Sequence, residues 1–512
     1  MSSSVAARTQ PTRDEGPSSS GQTEFVKALT LTDATMLVAG SMIGSGIFIV
    51  SADIGRTVGS PAWLLAAWVL TGVMTLLGAL AYGELAGMYP RAGGQYVFLR
   101  ESMGPLMGFL YGWTLFVVIQ TGTIAAVAVA FGKYLGVLIP SVAPEVYGWF
   151  PHHAFTTPGG TIEVGLSPQR LVGLVTIWLL TWVNLRGVRE GKLVQTTLTV
   201  VKTGALALLV ILGLTLGRNA TALAANFGPG HFTGGIDFTG PFAVAFGAAM
   251  VGSLFSSDAW NNVTFAAAEV KNPSRNLPLA LLLGTGLVTL LYVAANVSYL
   301  NVLPLVGSKD GATVLARGIQ YATQDRVGSA AAEMIFGPSA ATLMAIAILI
   351  STFGCNNGLI LAGARVYYAM ARDGLFFRRA GTLNRNHVPA AALVVQSVWT
   401  SLLCLTGTYS QLLDYVIFAA LVFYVLTTAG LFILRRKRPD APRPYRAIGY
   451  PVLPALYIAL ASAVAVILLV ADKTRAQALS GLVLVLIGIP VYYFSRGALG
   501  GTPSSGETAP GR

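Results

Sequence analysis

The sequence predicts an all-α integral membrane protein with twelve transmembrane helices. Three observations carry this reading. Of 512 residues, 54% are hydrophobic and only 11% are charged, under half the roughly 25% charged share of a soluble domain. A chain this apolar cannot cover a water-facing surface with polar groups, which argues against a soluble enzyme. Apolar runs of about 20 residues, enough to cross about 30 Å of hydrocarbon, recur along the whole chain. Finally, the basic residues between those runs are distributed unequally on alternate sides.

The runs fall at 31–58, 62–88, 105–139, 168–186, 193–216, 240–268, 278–303, 330–364, 389–407, 411–434, 451–471 and 476–495. None shows period-2 alternation, so helices are expected rather than a barrel. Residues 1–30 read as a polar cytoplasmic tail without a cleavable signal, and 497–512 as a flexible one. With the N-terminus placed inside, Lys and Arg in inner segments outnumber those in outer segments by nearly three to one. That bias follows the positive-inside rule and places both termini in the cytoplasm. The net charge of +12 therefore encodes orientation and does not form a nucleic-acid patch. The excess of Arg over Lys and the short tails point to a bacterial inner membrane.

Catalytic and metal-binding signatures are missing. The four histidines, His152, His153, His231 and His387, fall in expected loops. No H-E-x-x-H, G-x-S-x-G or Walker A pattern occurs, so neither a hydrolase nor an ATP-driven pump is indicated. No metal and no cofactor are expected. Cys355 and Cys404 both lie in apolar spans and cannot staple an external loop.

Two spans carry breaks at membrane depth. Span 1 contains Gly44-Ser45-Gly46, and two helix-interior glycines cost about 1 kcal/mol each relative to Ala. Span 6 contains Phe255-Ser256-Ser257-Asp258-Ala259-Trp260-Asn261-Asn262. Unwound backbone inside a bilayer survives only where protein or a hydrated cavity satisfies it. Breaks in the first and sixth spans point to an inverted-repeat transporter with a midplane site. The second half of span 1 starts near Ser45, Gly46 and Ile47, where free N–H groups suit a carboxylate. Carbonyls near Met42 and Ile43, and those of Phe255, Ser256 and Ser257, can accept from an ammonium. An amino acid carries both charges on one carbon and matches this arrangement. A non-transporting scaffold or receptor would have no use for such breaks.

The chain resembles the amino acid–polyamine–organocation superfamily, close to the L-type amino acid transporter-like permeases, over about residues 30–435. The resemblance rests on Gly-Ser-Met-Ile-Gly-Ser-Gly-Ile-Phe (40–48), Ala-Tyr-Gly-Glu-Leu (81–85) and Pro-Arg-Ala-Gly-Gly-Gln-Tyr (90–96). It also rests on Phe-Ser-Ser-Asp-Ala-Trp-Asn-Asn (255–262), the segment 269–278 and Ser-Thr-Phe-Gly-Cys-Asn-Asn (351–357). It implies a 5+5 inverted-repeat fold: spans 1–5 over 31–216, spans 6–10 over 240–435, and two peripheral helices over 451–496. It also implies that Phe255 is similar to the family's aromatic gate. Relatives often have glycine where this chain has Asp258-Ala259. Animal members join a heavy chain through a cysteine between spans 3 and 4. Residues 140–167 contain none, so no disulfide-linked partner is expected.

Lys202 lies about 13 Å into span 5, beyond easy snorkelling. Intramembrane charge is costly and therefore a functional candidate. The resemblance equates Lys202 with the residue whose ammonium replaces a sodium ion beside Gly44 and Ser351, which implies sodium independence. It is either a structural ammonium or a carrier of a coupling proton. Asp258 either attracts a substrate ammonium or caps the second half of span 6. Glu84 is expected to pair with inner-face arginines and Lys133 to snorkel. Gln120, Asn356 and Phe418 line the pocket or serve as interhelical packing. The expected function is sodium-independent permeation of neutral L-amino acids by exchange or proton coupling, with a polyamine or cationic amino acid permease as the rival.

Overall fold

A computed structural model describes residues 24–143, 152–157, 160–234, 240–406 and 409–498. The outer parts of both expected tails lie outside the described residues. Span 1 opens with α1 (Leu31–Met42). Thr30 caps it through a reciprocal pair: Asp33 N–H donates to the Thr30 hydroxyl at 3.3 Å, and Thr30 N–H donates to the Asp33 carboxylate at 3.0 Å. After a 3₁₀ turn at Gly46–Phe48, α2 (Ser51–Val58) completes the span. Span 2 is α3 (Pro61–Met88), with proline in its first turn, where no N–H is needed. The short α4 (Gln95–Met103) leads to span 3, formed by α5 (Pro105–Thr114), a π turn at Leu115–Ile119 and α6 (Gln120–Leu138). Spans 4 and 5 are α7 (Pro168–Leu185) and α8 (Val188–Thr215), followed by the short α9 (Ala220–Phe227).

The second half repeats the opening device. Span 6 is α10 (Gly240–Ser256), a break and α11 (Asn262–Phe265). Span 7 is α12 (Pro273–Val302), which runs through Pro278 and begins five residues before the expected boundary. The short α13 (Val314–Arg317) precedes α14 (Val327–Phe336) and α15 (Ala340–Arg372). The apolar run at 330–364 is thus two helices. Gly337, at φ 84°, and Pro338 end the first, because neither continues an α-helix readily. The remaining spans are α16 (Ala390–Thr406), α17 (Tyr409–Lys437), α18 (Val452–Val470) and α19 (Arg475–Ala498).

Each of the twelve expected spans is helical over most of its length. Among the described residues, eight helices are individually long and apolar enough to cross a membrane. Spans 1 and 6 fall short because they are broken, α16 has only 17 residues, and the 18 residues of α7 include Gln169, Arg170 and Asn184. His152 and His153 are not in a loop: they start β1 (His152–Thr157), which pairs antiparallel with β2 (Gly160–Gly165). Such cross-strand pairing is set by a partner sequence, which a local reading of polar residues does not reveal.

The centre of the bundle is α1, packed on α8, α12 and α15, with α12 against α3 and α15 against α6. Large exposed apolar side chains run down the outside, among them Trp178 and Trp182 on α7, Leu208 on α8 and Val466 on α18. In water such a surface would aggregate, and lipid covers it.

Ion pairs collect at two ends. At one, Glu84 pairs with Arg435 at 2.6 Å and Arg443 at 3.2 Å, Glu101 with Arg438 at 3.0 Å, Asp33 with Lys192 at 2.8 Å, and Asp373 with Arg100. At the other, Arg56 meets Asp325 at 2.6 Å and Asp53 meets Lys473 at 2.7 Å. Each of these pairs joins segments expected on the same side of the membrane. Glu84 is fully buried and also accepts from the Ala447 N–H at 2.7 Å. Replacing Glu84 with Gln leaves two arginines facing a neutral amide. The expected cost is about 3–5 kcal/mol, read as a lower unfolding midpoint of the detergent-purified protein. An unchanged midpoint would show that the cluster contributes nothing net.

Candidate functional site

The two breaks lie against each other at the centre of the bundle. α1 stops at Met42, and Gly44 and Ser45 lead into the 3₁₀ turn. A Cβ on Gly46 would collide with the Ser256 side chain and come within 3.1 Å of the Ser256 Cα. Glycine at 46 is therefore what lets the two unwound segments touch. Among the described residues, the backbone amides of Gly46 and Ile47 take no backbone carbonyl as partner.

The freed carbonyls of span 1 are held by side chains from three other spans. The Lys202 Nζ, on a side chain only 2% exposed, donates to the carbonyls of Gly40 at 2.6 Å, Ile43 at 2.5 Å and Ser351 at 3.2 Å. An ammonium has three donors, and all three are placed. The Ser351 hydroxyl lies within reach of the Ile43 carbonyl at 3.2 Å and the Gly44 carbonyl at 3.0 Å. The Cys355 thiol donates to the Ser41 carbonyl at 3.0 Å. Lys202, Gly44 and Ser351 are thus one cluster, and the Ile43 carbonyl is engaged by protein donors.

Tyr292 of α12 was not anticipated. Its hydroxyl lies 3.0 Å from the Met42 carbonyl and 3.1 Å from the Ser256 carbonyl, tying the two breaks together. Tyr299, about two turns further on the same face, donates to the Ile47 carbonyl at 3.3 Å. The only sequence signal was a phenol midway along an apolar span, where its O–H needs a partner.

In span 6 the chain turns at Ala259, whose φ of 63° is a left-handed conformation that glycine adopts more easily. Ala259→Gly is expected to raise stability by about 1 kcal/mol while retaining transport. A lower unfolding midpoint would contradict this. Asp258 does not cap the second half-helix. The capping position is Asn261, and the Asp258 carboxylate instead accepts from the Tyr424 hydroxyl of α17 at 2.5 Å. Asn261 donates to Gln95 at 2.7 Å, and Gln95 donates to Thr427 at 2.9 Å. This buried chain links spans 6 and 10 to α4.

Phe255, Ser257 and Asp258 are all buried, at 7%, 6% and 6% exposure, as is Ser45 at 1%. Two small cavities flank Asp258. One, of about 20 Å³, lies towards Thr75, Trp260 and Tyr457. The other, of about 10 Å³, is lined by Tyr111, Gln120, Asn262, Leu359 and Tyr424 among others. Gln120 therefore lines this cavity, and it also donates to the Leu359 carbonyl at 2.7 Å. Phe418 is buried but lines neither cavity. Asn356, in the orientation that satisfies both halves of its amide, bridges the Ile124 carbonyl and the Ala128 N–H at 3.2 Å each. It acts as interhelical glue. A larger cavity, about 810 Å³, sits away from the breaks at the Glu84 end, among Lys27, Arg91, Arg100 and Arg372.

Comparison with known proteins agrees with this geometry. A family model described as amino acid permease matches residues 29–491. The chain is 30% identical over 491 residues to the human large neutral amino acids transporter small subunit 2, covering 94% of this chain and 82% of that one. It is 30% identical over 472 residues to the serine/threonine exchanger SteT of Bacillus subtilis (strain 168), covering 91% and 96%. It is 28% identical over 480 residues to the human b(0,+)-type amino acid transporter 1, covering 92% and 88%. With two facing helix breaks in a nearly all-helical membrane fold and a family match over nearly its whole length, this chain belongs to the amino acid permease family and is a transporter rather than an enzyme.

Proposed function

We propose that this permease exchanges neutral L-amino acids without sodium, by alternating access, in a bacterial inner membrane with both termini cytoplasmic. The observation that carries this is the Lys202 ammonium on the Gly40, Ile43 and Ser351 carbonyls. A fixed cation already holds the oxygens between spans 1 and 8, leaving sodium no role there. The similarity to a serine/threonine exchanger favours exchange over proton coupling. Residues 31–216 and 240–435 act as two repeats, each opening with a broken helix, and 451–496 stands outside them.

The substrate carboxylate lies on the amides around Ser45, Gly46 and Ile47, at the positive end of the half-helix. The ammonium lies towards the carbonyls of Met42 and of Phe255 to Ser257, while Phe255 closes the site from above. No disulfide-linked heavy chain is required, since 140–167 carries no cysteine. Asp258, buried beside the site, favours a second reading in which cationic substrates are carried. Asp258→Asn would then abolish amine uptake and spare neutral substrates.

The test is uptake of labelled amino acids into proteoliposomes with and without unlabelled amino acid inside. Exchange predicts uptake that depends on internal substrate and ignores a pH gradient. Uptake into empty vesicles driven by acid outside would instead assign Lys202 to proton carriage.

A further inference from the structure

The turn after span 4 carries basic residues that the transport site does not use. Several basic side chains at this end of the molecule are held by carboxylates, as Arg435 and Arg443 are by Glu84. Arg186, Arg189 and Arg385 differ. All three are exposed, and among the described residues their side chains make no ion pair and no hydrogen bond. Two asparagines bring them together. Asn384 and Asn386 donate through Nδ2 to the Leu185 carbonyl, at 3.3 and 3.1 Å, and so cap the C-terminus of α7. Arg385, between them, is thereby set beside Arg186, the residue that follows α7, and near Arg189 in the first turn of α8. Glu190, whose carboxylate turns back over Gly187, is the acidic neighbour.

The surface running from these arginines into the membrane is apolar and aromatic. Trp178 and Trp182 are 41% and 50% exposed on α7, and Val394 and Val398 are exposed on α16. The Thr181 and Ser397 hydroxyls meet at 2.6 Å, so the two helices lie side by side. On each helix the exposed residues stand one after and three before that contact. In an antiparallel pair, equal offsets put both stripes on the same side. The Arg186 guanidinium carbon lies 3.7 Å from the centroid of the Trp182 ring. Stacking on the indole fixes the guanidinium plane and leaves its N–H edge free, which is how arginine takes a phosphate.

We infer that this corner of spans 4 and 9 binds an anionic phospholipid of the cytoplasmic leaflet. Its phosphates lie on Arg186, Arg189 and Arg385, and its acyl chains run along Trp178, Trp182, Val394 and Val398. The choice of leaflet rests on the orientation proposed above; the class of lipid does not. A zwitterionic lipid brings an ammonium with every phosphate, which the arginines repel. A soluble phosphate gains nothing from the indoles. Each arginine beside an anionic headgroup contributes a factor of about five in affinity.

The test is native mass spectrometry of the full-length protein in detergent, titrated with cardiolipin or with phosphatidylethanolamine of matched chain length. Cardiolipin is expected to bind about tenfold more tightly or better, and inorganic phosphate should not displace it. Replacing Arg186, Arg189 and Arg385 together with Gln should weaken cardiolipin binding about a hundredfold. Arg385→Gln alone, expected to weaken it about fivefold, keeps the test decisive if the triple variant does not accumulate. Arg436→Gln with Arg446→Gln removes two exposed arginines at and beyond the end of α17, and should stay within about twofold of wild type. Equal binding of the two lipids, displacement by phosphate, or an equal loss in the control variant overturns the assignment. Binding in detergent does not depend on which side the turn faces, so these outcomes leave the proposed orientation and transport standing.

Discussion

Replacing Lys202 with Met is expected to cut initial uptake about a hundredfold, to near background, in vesicles carrying matched amounts of protein. Methionine preserves bulk and apolar fit, so the change isolates the ammonium. The carbonyls of Gly40, Ile43 and Ser351 would lose their common donor at the point where span 1 is unwound. The Ser351 hydroxyl still reaches Ile43 and Gly44, which softens the loss without replacing it. Each buried acceptor left unmade costs about 1–3 kcal/mol, and about 3 kcal/mol corresponds to a hundredfold. Arginine should not substitute, because its planar fork cannot point three donors at carbonyls converging on one nitrogen. Wild-type rates in Lys202→Met would refute both the structural and the proton-carrying role.

Gly46→Ala is the second change expected to have a large effect. Its Cβ would occupy the space of the Ser256 side chain and press on the Ser256 backbone. Overpacking of this kind costs about 1–3 kcal/mol, and here it separates the two segments that shape the site. Uptake is expected to fall about tenfold or more, with KM rising because the amides proposed to hold the substrate carboxylate shift. Ser256→Gly removes the colliding atoms, so the double variant should recover part of the loss, a coupling a double-mutant cycle reads directly. A Gly46→Ala variant with unchanged kinetics would show that the breaks do not need this contact.

Much of this architecture is legible in the chain itself. A span must bring about 20 apolar residues, so each leaves a local signature. The breaks are legible because Gly44, Gly46 and Asp258 are poor helix-interior residues at membrane depth. Lys202 stands out as a lone charge in its span, and Glu84 as a carboxylate near an arginine-rich end. What escapes is whatever depends on a distant partner. Tyr292 and Tyr424 sit in apolar runs, where a phenol resembles any packing aromatic until its hydroxyl is seen on Ser256 or Asp258. The pairing of Asp258 with Tyr424 escapes for the same reason. The partner lies on α17, 166 positions away. The boundary between α14 and α15 escapes because apolar residues flank Gly337-Pro338 on both sides.

The central claim is that the Lys202 ammonium stands where a coupling ion would otherwise sit. The most direct test compares initial amino acid uptake by the wild-type protein in sodium and in choline buffers of equal ionic strength. Equal rates are predicted. Uptake that requires sodium would contradict the account.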